Sequence, residues 1–300
     1  MPITKLDQMF EVLASRTKKR LVAAWAVDAH TVVAAAEGVK KGIIEATLVG
    51  DEAQIVAVCN QHQIDPNIFT IVQADNDITA ANLAVSLINE GKGDFLMKGL
   101  LSTDRYMKAI LNKETGLMNP GAVLSHVTVI EPPTYHKLLI VGDVAIIPLP
   151  DLNQKIAITN YLIKAAKLLG IEKPKVGLVA PSEQVLPKVI SSVEASIISK
   201  MSHRGQIKDA IVEGPLGMDV IIDKESADIK GLKSEVCGDA DCILFPAIEA
   251  GNVFYKTMTK FCGAELCAIV MGARVPAVLS SRGDSEQTKL YSIALAAMMA

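Results

Sequence analysis

Phe95-Leu96-Met97-Lys98-Gly99-Leu100-Leu101-Ser102-Thr103-Asp104-Arg105-Tyr106-Met107-Lys108 contains a strand, a turn and the start of a helix in immediate succession. Residues 95–97 are a short apolar run of strand type, and Gly99 allows the chain to turn closely. Ser102 or Thr103 can cap the helix that follows. The same unit recurs from end to end. Apolar runs at 21–27, 46–49, 68–72, 95–97, 127–130, 138–141, 144–147, 176–180, 210–212, 242–245, 266–271 and 277–279 read as strands. Helical patterns at 30–41, 53–62, 78–90, 104–111, 153–169, 183–200, 253–261 and 286–299 lie between most of them. Such alternation predicts an α/β fold, mainly parallel sheet with helices on both faces. Only the middle departs from it. Residues 125–131, 137–141 and 144–148 follow one another without a helix, and Gly142-Asp143 reads as a hairpin turn, so a strand-rich antiparallel insertion is expected there.

The 300 residues are enough for one large domain or two α/β lobes. Half the residues are hydrophobic but only 4% are aromatic, so the core must be built from Ala, Val, Ile and Leu, as suits parallel sheets between helices. A net charge of −3 gives no basic footprint for nucleic acid, and so few aromatics give no stacking platform for single strands. The first residues lack the basic-then-apolar order of a signal peptide, and no apolar run approaches the ~20 residues of a membrane span. A cytoplasmic protein is expected, with no membrane partner. The five cysteines form no Cys-x-x-Cys pair, and Cys242 and Cys267 sit inside apolar runs, so buried core thiols are expected rather than a metal site. The histidines have no partners at ligand spacing, and no metal centre is expected.

Ligands of open α/β sheets bind beyond the carboxyl ends of strands, often between lobes. Several segments there carry chemistry. Lys98, Ser102, Thr103 and Lys108 surround a helix N-terminus, a ready anion site, with Arg105 adding charge. An ordinary capped helix with solvated lysines is the alternative. Ser125-His126 opens the strand-rich middle, and His126 is either a hydrogen-bonded structural residue or a catalytic one. Asp219 follows the Glu213-Gly214-Pro215-Leu216-Gly217 loop and either caps a helix or lines the cleft. Asn252 stands where an N-cap belongs and could equally hold a ligand. The most telling stretch is Pro276-Ala277-Val278-Leu279-Ser280-Ser281-Arg282-Gly283-Asp284-Ser285, in which a strand ends in hydroxyls, a guanidinium and an acid just before a long helix. Those groups suit a phosphate and a developing negative charge. Gly-x-Gly-x-x-Gly, Walker and Gly-x-Ser-x-Gly signatures are absent.

Taken in order, these segments resemble the phosphate acetyltransferase and phosphate butyryltransferase family. The likeness rests on Lys98-Gly99-x-x-Ser102-Thr103, Glu213-Gly214-Pro215-Leu216 through Asp219, and Gly238-Asp239-Ala240-Asp241 with Phe245-Pro246. It continues in Ala250-Gly251-Asn252-x-x-Tyr255-Lys256 and ends in Val278–Ser285 with Thr288-Lys289. The butyryl branch is the nearer likeness, through Ser125-His126, Asp284-Ser285 and the short length. The resemblance implies reversible exchange of a short acyl group, butyryl first, between coenzyme A and inorganic phosphate. Coenzyme A is then a substrate, no cofactor is tightly bound, and the protein is a homodimer or a higher homo-oligomer. It also implies a two-lobed fold like that of the isocitrate and isopropylmalate dehydrogenases, with residues 1–127 and 273–300 in lobe one and 128–272 in lobe two, which makes the dimer.

The same resemblance assigns Ser281 and Arg282 to the active site. The acetyl branch has its base seven residues after that serine, where this chain has Thr288, so Asp284 takes the role, with His126 second. Lys108 stands where the acetyl branch has a phosphate-binding arginine. Lys98, Ser102, Thr103, Ser125, Asp219 and Asn252 complete the expected phosphate and coenzyme A contacts. Two rivals remain. One is a metal- and NAD-dependent dehydrogenase of the same fold; the other is a non-catalytic acyl-CoA-binding protein.

Overall fold

The computed structural model describes residues 2–280 and 284–300. The chain divides into two compact units, Leu6–Leu124 with Cys267–Ala300, and Met1–Lys5 with Ser125–Leu266. In chain order the strands are β1 Lys19–Ala24, β2 Ile44–Gly50, β3 Thr70–Gln73, β4 Phe95–Lys98, β5 Ser125–Glu131, β6 Leu139–Gly142, β7 Lys175–Val179, β8 Ile211–Leu216, β9 Cys242–Leu244, β10 Glu265–Met271 and β11 Ala277–Val278. The helices are α1 Gln8–Ala14, α2 Ala29–Lys40, α3 Glu52–Gln61, α4 Asp77–Asn89, α5 Thr103–Leu111, α6 Leu152–Leu168, α7 Ile190–His203, α8 Met218–Ile222, α9 Lys224–Ile229, α10 Ile248–Lys260 and α11 Glu286–Met299.

In the unit that contains both chain segments Leu6–Leu124 and Cys267–Ala300, the strands lie in the order β3-β2-β1-β4-β11-β10. All neighbours are parallel except β10 and β11. Aspartate, asparagine or serine ends each strand-to-helix turn: Asp28 caps α2, Asp51 caps α3, Asn76 caps α4, Ser102 caps α5 and Ser285 caps α11. Each side-chain oxygen takes up a helix N–H that has no intrahelical partner. Helix α11 packs on α2 and α1, and residues 289–298 are buried without a break. This is why its sequence is apolar on every side.

In the other unit the order is β5-β6-β9-β7-β8, antiparallel for β5–β6 and parallel for the rest. Its core joins Val141, Leu216, Val220, Ile221, Ile243, Phe245 and Tyr255. At Gly177 an added Cβ would meet Ile221 at 2.9 Å, so glycine there lets α8 seat directly on β7.

Several expectations need correction. Residues 144–147 are not a strand, and Gly142-Asp143 is not a hairpin turn. Asp143 Oδ1 accepts the backbone N–H groups of Ala145 and Ile146 at 2.7 and 2.9 Å, which takes those donors away from any ladder. Strand β6 instead pairs with both β5 and β9 as a member of the sheet. Helix α10 starts at Ile248 with Ala247 as its N-cap, so Asn252 lies inside the helix and does not cap it. Asp219 is likewise the second residue of α8, whose N-cap is Gly217. Helix α7 starts at Ile190, because the Ser192 hydroxyl holds the preceding turn by accepting from Leu186 N and donating to Gln184 O. Among the described residues no helix is long and apolar enough to cross a membrane.

Candidate active site

Within the first unit the strand ends of β1, β4 and β11 lie side by side, with Val278 opposite Met97 in parallel register. Lys98 and Ser280 therefore leave the sheet at one edge, the edge at which parallel α/β sheets hold ligands. Gly99 makes the tight turn possible. It donates to Ala24 O at 2.9 Å, and a Cβ there would lie 2.3 Å from the carbonyl oxygen of Trp25. Ser102 Oγ accepts from Arg105 N at 3.2 Å and so starts α5. Tyr106, fully buried, donates to Val278 O at 3.3 Å and ties α5 to β11.

The basic residues of this segment are more occupied than sequence alone suggested. Lys98 is buried and donates to Gly99 O and Leu101 O at 3.2 and 3.0 Å, bracing its own turn. Arg105 is paired with Asp77, which raises the guanidinium pKa through their hydrogen bond. Lys108 is exposed and pairs with Asp104 one turn back, at 2.9 Å. Thr103 is exposed at the first position of α5. Ser281 and Arg282 lie outside the described residues. Asp284 is half-buried beyond them, and Ser285 Oγ accepts from Thr288 N at 3.1 Å to begin α11. Thr288 is thus a partner in the cap.

The second unit holds a separate constellation around Asp143. This carboxylate is 2% exposed and was missed by sequence reasoning. Its Oδ2 accepts from Ser125 Oγ at 3.0 Å and from His126 N at 3.1 Å, while Oδ1 holds the turn at Ala145 and Ile146. His126 is buried, with Nδ1 3.1 Å from Thr128 Oγ1. From the other side α10 comes so close that a Cβ at Gly251 would lie 2.3 Å from Asp143 O. Asn252 Nδ2 donates to Val144 O at 3.1 Å. Ser125, His126 and Asn252 are therefore brought to one loop. Asp219 is exposed elsewhere on the unit. There Lys230, first through its hydrogen bond, holds the Asp219 carboxyl below the ordinary range.

Cys59, Cys237, Cys242 and Cys267 are buried and Cys262 is exposed. Burial pushes the Cys59, Cys237 and Cys242 thiols up, away from the nucleophilic thiolate. Among the described residues no three His, Cys, Asp or Glu side chains are grouped so as to hold a metal ion.

Capped strand-to-helix turns at the carboxyl edge of the parallel strands define an α/β scaffold. The chain matches the family described as phosphate acetyl/butaryl transferase over residues 77–297, and it belongs to that family. A phosphate butyryltransferase of Clostridium acetobutylicum is 42% identical over 298 residues, 99% of either chain. A phosphate acetyltransferase of Thermotoga maritima is 37% identical over 295 residues, 98% of this chain and 99% of that one. Among solved structures, a branched-chain phosphotransacylase from Enterococcus faecalis V583 superposes with a TM-score of 0.81 at 28% identity, covering 94% of this chain and 98% of the other.

Proposed function

We propose that this protein is a phosphate acyltransferase that interconverts acyl-CoA plus phosphate with acyl phosphate plus CoA, with butyryl as the preferred acyl group. The observation that carries this reading is the near full-length likeness to phosphate butyryltransferases and phosphate acetyltransferases. The butyryl preference is supported by the higher identity to a butyryltransferase and by the Ser125-His126 and Asp284-Ser285 pairs. Coenzyme A acts as a substrate and not as a resident cofactor. The two units correspond, on this reading, to the lobes of an isocitrate/isopropylmalate dehydrogenase-like fold, and the protein works in the cytoplasm as a homodimer or larger homo-oligomer.

The proposed chemistry places the phosphoryl group by Arg282, Lys108 and the N-terminus of α5 at Thr103 and Ser102, where backbone N–H groups and the helix dipole favour an anion. In the acyl-CoA-forming direction Asp284 takes the thiol proton, with His126 second in line. The thiolate attacks the acyl carbonyl, and the carbon–oxygen bond to phosphate breaks. Ser281 and Arg282 stabilise the tetrahedral oxyanion and the departing phosphate. Lys98 holds the turn from which α5 starts. Ser125, Asp219 and Asn252 contribute to coenzyme A recognition. The raised thiol pKa values of Cys59, Cys237 and Cys242 support direct transfer between the two bound substrates with no acyl intermediate on those thiols.

Phosphate-dependent release of CoA thiol, compared across acetyl-, propionyl-, butyryl- and isobutyryl-CoA, tests the reading. Fastest release from butyryl-CoA is expected. A preference for acetyl-CoA moves the assignment to phosphate acetyltransferase, and no release from any of them overturns the transferase reading.

A further inference from the structure

Helix α11 is buried from its fourth residue to Met298, and one of those buried residues carries a charge. Lys289, its fourth residue, is 4% exposed. The ammonium donates to Ser280 Oγ at 3.0 Å. Burial pushes its pKa below the ordinary lysine value, and the carboxylates of Asp28 and Asp284 pull it part of the way back. Asp28 uses one oxygen to cap α2, accepting from Thr31 N at 3.0 Å. Among the described residues its other oxygen is buried with no hydrogen-bond partner, as is the Thr31 hydroxyl.

Stability alone does not call for a lysine here. The first turn of a helix is the positive end of its dipole, and a buried ammonium loses hydration. Leucine or methionine would fill the same space, as Leu290 and Met298 do elsewhere on the helix. A position that goes against local preference in this way is expected at a functional site. Ser280 and Asp284 flank residues 281–283 in sequence, and Lys289 acts on both flanks, by a hydrogen bond on one and by charge on the other.

We propose that Lys289 is a positioning residue for acyl transfer, fixing Ser280, the residue that precedes the serine–arginine pair in sequence. This inference rests on the function proposed above. The buried Lys289 ammonium touches Ser280, the residue before that pair in sequence. Losing it would therefore change turnover more than substrate affinity.

The test uses the full-length protein with Lys289→Met, Lys289→Arg and Ser280→Ala, assayed with butyryl-CoA and phosphate and followed by thermal melts. Lys289→Met is expected to lower turnover by about tenfold or more, with both KM values within roughly threefold. Its melting temperature is expected to stay within about 4 °C of the parent or to rise. Lys289→Arg recovers part of the turnover. Parent turnover in Lys289→Met overturns the proposal. Where Lys289→Met fails to fold, Ser280→Ala decides: a severalfold loss of turnover supports the proposal and unchanged turnover overturns it. Absence of phosphate-dependent release by the parent protein marks failure of the functional reading, whereas an active parent with an unimpaired Lys289→Met marks failure of this proposal alone.

Discussion

Ser125 Oγ donates to Asp143 Oδ2 at 3.0 Å, joining the first residue of β5 to the residue just after β6. Both oxygens of this buried carboxylate are occupied, by Ser125 and His126 N on one side and by Ala145 N and Ile146 N on the other. Asp143→Ala would remove the acceptor of the buried Ser125 Oγ and His126 N and of the less buried Ala145 N and Ile146 N. The expected loss is about 3 kcal/mol or more, read from urea titration, because each orphaned donor carries a desolvation penalty. A loss below about 1 kcal/mol would mean that water replaces the carboxylate.

Removing the guanidinium at position 282 tests the proposed charge stabilisation. Arg282→Ala is expected to lower turnover on the order of a hundredfold. Arg282→Lys keeps the charge but loses the planar fork, so it should recover only part of the rate. Near-parent transfer by Arg282→Ala, measured by thiol release, removes Ser281-Arg282 from the mechanism.

Lys108 separates binding from stability. Its pair with Asp104 is exposed, and exposed pairs are worth about 0–1 kcal/mol, so Lys108→Ala should melt close to the parent. If Lys108 meets phosphate, the same variant raises the phosphate KM several-fold with little change in that for acyl-CoA. An unchanged phosphate KM would assign Lys108 to the solvated face of α5.

At position 99 the prediction is structural. Gly99→Ala puts a methyl group against the Trp25 carbonyl, and backbone cannot yield as a side chain can. A loss on the order of 1–3 kcal/mol is expected from this overpacking, visible as a lower melting temperature. The α5 turn would shift with it, so activity should fall as well.

The Asp239 cluster gives the pH dependence. Burial pushes the Asp239 carboxyl up, but hydrogen bonds from Lys137, Lys175 and His136 outweigh it and hold the group well below its ordinary value of 3.8. A depressed carboxylate contributes stability that is fully present above the unfolded-state pKa and lost as pH falls through the folded one. The stability gap between the parent and Asp239→Asn should therefore be present above about pH 4 and narrow progressively as pH falls below it towards the depressed folded-state pKa. Urea melts across that range check it; a gap that persists in acid would mean that the cluster acts through packing.

The βα units of the first unit were legible because each strand run is followed by a serine, asparagine or aspartate that caps the next helix, as at Lys98–Ser102. Asp143 was not legible. Its partners come from residues 125 and 126 as well as from its own turn, and only the folded sheet brings them together. Val144-Ala145-Ile146-Ile147 reads as a strand by composition, and a side-chain hydrogen bond decides otherwise. Helices α8 and α9, of five and six residues, are too short to show a period. The burial of Lys289 shows only once α11 is packed in the fold. Asn252 sits at a plausible cap, yet its helix begins four residues earlier, at Ile248.

The central claim is exchange between a thioester and a phosphate. Purified protein incubated with butyryl-CoA and inorganic phosphate should form free CoA thiol and butyryl phosphate in equal amounts, and neither product when phosphate is left out. Thiol released without butyryl phosphate would make the protein a thioesterase, and absence of both products would contradict an acyltransferase altogether.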